Sequence, residues 1–179
     1  MKDFIKEWGS YIAIIVIVII IRTYIVTPVI VRGDSMYSTL EDGEVLFLSK
    51  ITYKVSDINR FDIVVLEDLD DDLIIKRIIG MPGDKVVYKD GIMYINDEEV
   101  VEDYTDFIME DFDVDSICEI NDIECDGVIP DDMYFVLGDN RAVSADSRVK
   151  GLFKREQILG KTIFRVWPLN KIRFIKWLE

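Results

Sequence analysis

With 179 residues the chain has room for a short anchoring segment and one compact domain, and its 50% hydrophobic and 11% aromatic content excludes a disordered tail. Its 35 acidic against 21 basic residues give a formal charge of -14, which excludes a phosphate-neutralising nucleic-acid binder and leaves any membrane attachment to an apolar segment rather than a basic patch. With no histidine, it can build no Ser-His-Asp triad, Cys-His pair or His-ligated zinc site, so nucleophilic chemistry would need another base, for which a lysine of lowered proton affinity is the usual substitute.

In chain order, the first element is apolar. Tyr11 to Ile21 form an unbroken apolar run that is shorter than the roughly 20 residues needed to cross a bilayer. Phe4, Ile5 and Trp8 extend it upstream and Tyr24 to Val31 downstream, so a single spanning helix is expected over about Phe4–Tyr24. Lys2 and Lys6 before an apolar run also suit a cleavable leader. However, no small-x-small site follows, only Arg22, Thr23 and Tyr24, which favours an uncleaved anchor. The division expected is residues 1–27 for the tail and anchor and 28–179 for the folded domain.

Beyond the anchor the pattern shifts to short β-branched or alternating runs between turn residues, the mark of a mostly β domain. Strands are expected at Glu44–Ser49, Phe61–Leu66, Leu73–Ile79, Lys85–Lys89, Ile92–Asn96, Met133–Leu137 and Lys161–Trp167. Asp90-Gly91 between VVYK and IMYI predicts a hairpin with a type I′ turn. Residues 96–126 are dense in acid with weak periodicity, and read as a surface insertion without chemistry. Cys118 and Cys125 within it suit either a local disulfide in an oxidising compartment or two separate thiols, and spacing does not choose between them. A short helix is expected around Lys154–Leu159.

Three segments carry candidate chemistry. In Gly33-Asp34-Ser35-Met36, just after the anchor, glycine permits close backbone approach, and the Ser35 N-H can donate to an oxyanion while its hydroxyl attacks. Taken alone, such a stretch is more often an ordinary turn. In Leu73-Ile74-Ile75-Lys76-Arg77-Ile78-Ile79-Gly80, a strand puts Lys76 between Ile74 and Ile78 on one face and Arg77 on the other. An ammonium so placed loses solvation, which favours the neutral amine that can accept a serine proton. By itself it reads more readily as a lysine guarding a sheet edge. The third, Gly138-Asp139-Asn140-Arg141-Ala142-Val143-Ser144-Ala145-Asp146-Ser147-Arg148, is a polar loop after the strand MYFVL; Asp146 and Arg148 can pair there, and Ser144 can orient the lysine amine.

The order of DSMYSTL, KRIIGMPGD and GDNRAVSADSR behind an anchor resembles the bacterial type I signal peptidases in their short, Gram-positive-like form, from the anchor to about Pro168. That resemblance implies a mostly β catalytic domain behind one N-terminal transmembrane helix, on the extracytoplasmic side of the cell membrane. It implies a Ser35 nucleophile with a Lys76 base, the Ser35 amide and Gly33 at the oxyanion site, support from Ser144, Asp146 and Arg148, and Met36 lining a pocket for small side chains. The partners implied are signal peptides of secreted preproteins and the lipid bilayer, with no metal or cofactor and a monomeric enzyme. The sequence departs from the family in carrying Ser38 where proline is usual, and Gly33 where some members carry a serine that donates a second oxyanion hydrogen bond. The rival expectations are a serine/lysine autoprotease akin to the SOS-response repressors and a non-catalytic, membrane-tethered assembly factor of the same fold.

Overall fold

The computed structural model describes residues 2–68, 72–105 and 107–175; residue 106 of the acidic stretch and residues 176–179 of the expected domain lie outside it. Helix α1 (Lys2–Tyr24) contains the expected span, and its apolar side chains from Tyr11 to Ile19 are exposed. Among the described residues no helix is long and apolar enough to cross a membrane; of the expected span, the side chains at 4–7, 20, 21, 23 and 24 lie outside those described.

The apolar residues after α1 do not prolong the helix. Val26–Ile30 forms β1, antiparallel to β2 (Val45–Ser49), so the boundary expected between residues 27 and 28 falls inside a strand. Val26, Thr27, Val29 and Ile30 are β-branched and suit pairing with β2, and Pro28, which cannot donate to a ladder, sits in an edge strand where no donor is required. After β2 come a short helix, α2 (Thr52–Val55), and the hairpin of β3 (Ile63–Glu67) with β4 (Leu73–Gly80). A second hairpin pairs β5 (Val86–Lys89) with β6 (Ile92–Ile95). Asp90 and Gly91 in its turn have φ of 53° and 84°, the positive pair that a type I′ turn needs.

The acidic stretch is built into the fold. β7 (Glu98–Val100) pairs with β6, β8 (Phe112–Asp113) pairs with β5, and α3 (Val114–Ile120) is capped by the Asp113 carboxylate, which accepts from the Ser116 N-H. This corrects the expectation of a surface insertion, because its sparse apolar residues Met109, Val114, Ile117, Cys118 and Cys125 are buried in the main core cluster. Cys118 and Cys125 are joined as a disulfide.

The remaining elements are β9 (Met133–Leu137), α4 (Ser147–Lys150), β10 (Phe153–Lys154), β11 (Ile158–Trp167) and β12 (Arg173–Phe174). The helix expected at Lys154–Leu159 is instead a 3-10 turn, Arg155–Gln157, running into β11. Pairing of Ile158 and Gly160 with Leu66 and Val65 of β3 overrides local helix preference there. Among the described residues the large antiparallel sheet runs β1-β2-β11-β3-β4-β9-β10, with β12 added to β11, and the small one runs β7-β6-β5-β8.

Two features of this topology position the site. The sheet curves so that residues 27–32 of β1 and its exit face residues 72–76 of β4 across a cleft of about 730 Å3. β9 pairs with β4 only from Arg77 onward, so the first half of β4 borders that cleft with no strand paired on its β9 side among the described residues. The loop 33–43 between β1 and β2 is sealed from below by Met36 and Leu40, which are buried with Leu46, Ile63, Val65 and Ile75. Burying side chains of this size contributes roughly 2 kcal/mol each.

Candidate active site

Strand alternation sets the first relationship. Lys76 lies opposite Val64 of β3 and only 3% of its surface is exposed, while the next residue, Arg77, emerges on the other side of β4. The Lys76 Nζ donates to Ser35 Oγ at 2.9 Å and to the Ile75 carbonyl at 3.1 Å. Burial, the largest influence, pulls the Lys76 pKa down to about 8; Asp146, Asp139 and Asp68 act to raise it and Lys150 to lower it further. About a tenth of such amines are neutral at pH 7, against fewer than one in a thousand for an ordinary lysine. Deprotonated, the amine reverses the hydrogen bond and accepts from the serine hydroxyl. The pair can therefore generate an alkoxide-like nucleophile without histidine or metal.

The Arg77 face holds the frame. Its guanidinium grips Asp139 in a two-pronged pair, Nε to Oδ1 at 2.8 Å and Nη2 to Oδ2 at 2.6 Å, and lies 4.2 Å from the centre of the Tyr104 ring. Arg141 donates to the Gly138 carbonyl at 3.0 Å and pairs with Glu102, a residue of the acidic stretch. Asp146 accepts from the Gly138 N-H at 3.0 Å and from Arg148 at 2.8 and 2.9 Å, and Arg148 also donates to the Arg141 carbonyl at 2.8 Å. So folded, the loop presents the Asn140 N-H to the Ser35 carbonyl at 3.0 Å. Gly138 lies against that same carbonyl, where an added Cβ would come to 2.5 Å.

Of the residues singled out from sequence, Ser35, Lys76, Asp146 and Arg148 are thus brought together. Met36 is 1% exposed and lines the cleft beside Ser35. Two others are placed differently. Gly33, at φ 76°, donates its N-H to Asp42 Oδ1 at 2.7 Å, so that amide is committed to the loop rather than presented beside Ser35. Ser144 Oγ is buried with no hydrogen-bond partner among the described residues, and Lys76 is not bonded to it. The Ser35 N-H has no acceptor among the described residues and remains available as an oxyanion donor.

Residues overlooked in the sequence act mainly through the backbone. Asn140 holds the Ser35 carbonyl and Gly138 leaves room for it, and Arg165 reaches from β11 to the Thr39 carbonyl at 2.6 Å while pairing with buried Glu44 at 2.9 Å, which ties down the loop 33–43. Arg165 carried no local signal. Arg77 and Asp139 did, since each lies within one of the motifs, but their pairing across 62 positions is legible only in the fold.

The family model described as "Signal peptidase, peptidase S26" matches residues 5–167. The chain belongs to the signal peptidase S26 family. Among relatives, it is 39% identical over 184 residues to "Signal peptidase IB" of Staphylococcus aureus strain MRSA252, covering 97% of this chain and 95% of that one. It is 35% identical over 172 residues to "Signal peptidase I" of Bacillus caldolyticus, covering 94% of each. A crystal structure of a signal peptidase I from Enterococcus faecalis aligns with 60% of this chain and 97% of its own, at a TM-score of 0.50 and 31% identity. As an S26 peptidase the chain is a serine endopeptidase.

Proposed function

We propose that this S26 peptidase removes N-terminal signal peptides from exported preproteins with Ser35 as nucleophile and Lys76 as general base. The observation that carries the reading is the 2.9 Å contact between a 97%-shielded amine and a half-buried hydroxyl at the edge of an extended cleft. Lys76 takes the Ser35 proton as Oγ attacks the scissile carbonyl, the Ser35 N-H donates to the developing oxyanion, and the resulting ammonium protonates the leaving amine. Water, deprotonated by the same lysine, then hydrolyses the ester. An extended substrate would lie between β1 and the open first half of β4, completing backbone pairs on either side, with its small side chains directed toward Met36.

The pairing of Val26 and Thr27 with β2 supports a catalytic unit that begins with β1 rather than at residue 28, and we read α1, with its exposed apolar side chains, as a single-pass anchor with the catalytic unit on the extracytoplasmic side. Confining enzyme and substrate to one bilayer raises their effective concentration without new contacts. The unit acts as a monomer, since every group assigned a step is contributed by one chain. The supporting test is incubation of the detergent-solubilised chain with a preprotein, followed by mapping of the new amino terminus. Cleavage after small residues is expected from the natural chain, and none from Ser35→Ala or Lys76→Ala at unchanged helix and strand content. Turnover by either variant, or preprotein binding without turnover by the natural chain, would overturn the assignment.

A further inference from the structure

Ser35 and Lys76 open onto a second concavity besides the β1–β4 cleft. It measures about 420 Å3, and its lining includes Arg32, Asp34, Asp68, Val143, Ala145 and Lys150. Asp68 lies just past the end of β3, its carboxylate side chain only 4% exposed; Lys150 ends α4 with a side chain 23% exposed; the two form an ion pair. Each is also tied to its own segment. The Asp72 N-H donates to Asp68 Oδ1 at 3.2 Å and the Asp68 N-H to the Asp72 carbonyl at 3.0 Å, which fixes the carboxylate to the hairpin carrying Lys76. The Lys150 N-H donates to the Asp146 carbonyl at 2.8 Å, which fixes the ammonium to the loop that holds Ser35. The pair therefore bridges base-bearing hairpin and nucleophile-holding loop beside the reacting groups, although neither residue belongs to the three motifs.

We propose that the Asp68–Lys150 ion pair is a positioning and charge-setting element of this site, joining the β3–β4 hairpin to α4 and holding a cation close to Lys76 so that the neutral amine is favoured. The proposal rests on the reading of Lys76 as general base. Its physics is Coulombic around a buried amine, where a nearby ammonium disfavours a second one and a carboxylate does the reverse. The groups around Lys76 are Asp139 and Asp146 from the loop after β9, Arg32 and Asp34 from the loop after β1, Asp68 and Asp72 from the hairpin, and Lys150 from α4. Arg148 is paired to Asp146, Arg77 projects through the other side of β4, and β3 presents apolar Val64. Of the pair, Lys150 acts on Lys76 more strongly than Asp68 does, so the two together lower its affinity for a proton.

The test is the pH dependence of kcat/KM for preprotein cleavage by the full chain in detergent micelles, measured for the natural enzyme and for Lys150→Met, Asp68→Asn, the double substitution, Lys150→Arg and Lys76→Ala. Lys150→Met should move the acidic limb toward higher pH by about half a unit, a roughly threefold loss at pH 7 that vanishes on the alkaline plateau. Asp68→Asn should move it the opposite way by less, the double substitution should leave it between the natural and Lys150→Met limbs, and Lys150→Arg should leave it at its natural place. Coincident limbs, shifts of the same sign in both single variants, or a loss equal at every pH would overturn the proposal, the last two pointing to packing alone. An inactive Lys76→Ala beside unmoved Lys150→Met and Asp68→Asn limbs would sink this inference and spare the base assignment, whereas an active Lys76→Ala would sink both.

Discussion

Replacing Lys76 with methionine should abolish cleavage and at the same time make the protein more stable. The native amine titrates at about 8 against 10.5 for an ordinary lysine, so the folded state disfavours the charged form by about 2.5 pH units, or about 3 kcal/mol. At pH 7 both folded and unfolded chains carry the proton, and the folded chain bears that whole desolvation cost. Methionine removes the cost and forfeits the 2.9 Å hydrogen bond to Ser35, worth about 1 kcal/mol, for a net gain of about 2 kcal/mol. The sign with pH follows from proton counting. Between pH 8 and 10.5 the unfolded chain binds more protons at this site than the folded one, so the natural protein gains stability as pH rises and the advantage of the variant shrinks by about 3 kcal/mol. Urea unfolding of both proteins in detergent micelles, followed by circular dichroism at steps from pH 7 to 10.5, measures the difference directly, because all other titrating groups are shared. A difference in unfolding free energy that stays flat over that range, or a variant less stable than the natural chain at pH 7, would show that the amine is not held dry.

Three further outcomes follow from the same geometry. Because the neutral amine is the reactive form, kcat/KM for preprotein cleavage should climb tenfold per pH unit below about 8 and level off above it, as read from a pH-rate profile. Asp139→Asn should leave the 97%-shielded Arg77 guanidinium without its counter-ion and cost about 3 to 5 kcal/mol in urea unfolding, whereas replacing both partners with apolar residues of similar volume should cost much less. Gly138→Ala forces its new Cβ against Ser144 and to 2.5 Å from the Ser35 carbonyl and should lower kcat about a hundredfold, while Gly80→Ala, which collides with Ile129 and meets Val86 at 2.9 Å and Phe135 at 3.1 Å, should lower the thermal midpoint and leave the kcat of the folded fraction alone.

Sequence reading reached furthest where a property is local. Asp90-Gly91 announced its hairpin because positive φ is a demand on two residues only, and the alternation of Ile74, Lys76 and Ile78 foretold an amine among apolar neighbours because side-chain parity is intrinsic to a strand. It failed where distant pairing decides. Val26–Ile30 read only as apolar residues trailing the span until Phe47 and its neighbours offered a partner strand, and the helix expected over Lys154–Leu159 gave way to β11 from Ile158 because Leu66 and Val65 pair with it across the sheet. The acidic stretch misled through composition: its charged majority is solvated, but a handful of apolar side chains help close the main core cluster, and Glu102 reaches Arg141 beside the candidate site. Within that site, the residue types of the dyad were visible in the motifs, whereas the backbone hydrogen bonds by which Asn140 and Arg165 steady its loops have no signature in a linear pattern.

In the proposed mechanism, neighbouring positions on β4 are occupied by two cations with opposite jobs, one valuable because it can lose its proton and the other because it cannot. Deleting a single residue between Leu73 and Ile75 would exchange their sides, delivering a permanently charged guanidinium to the hydroxyl and sending the titratable amine to Asp139. Such a protein would still match every polar partner with a positive group, yet it would be chemically inert. Over evolutionary time this hairpin can therefore change its side chains far more freely than its length, and natural insertions in relatives should collect at the turn after Glu67 rather than within the strand.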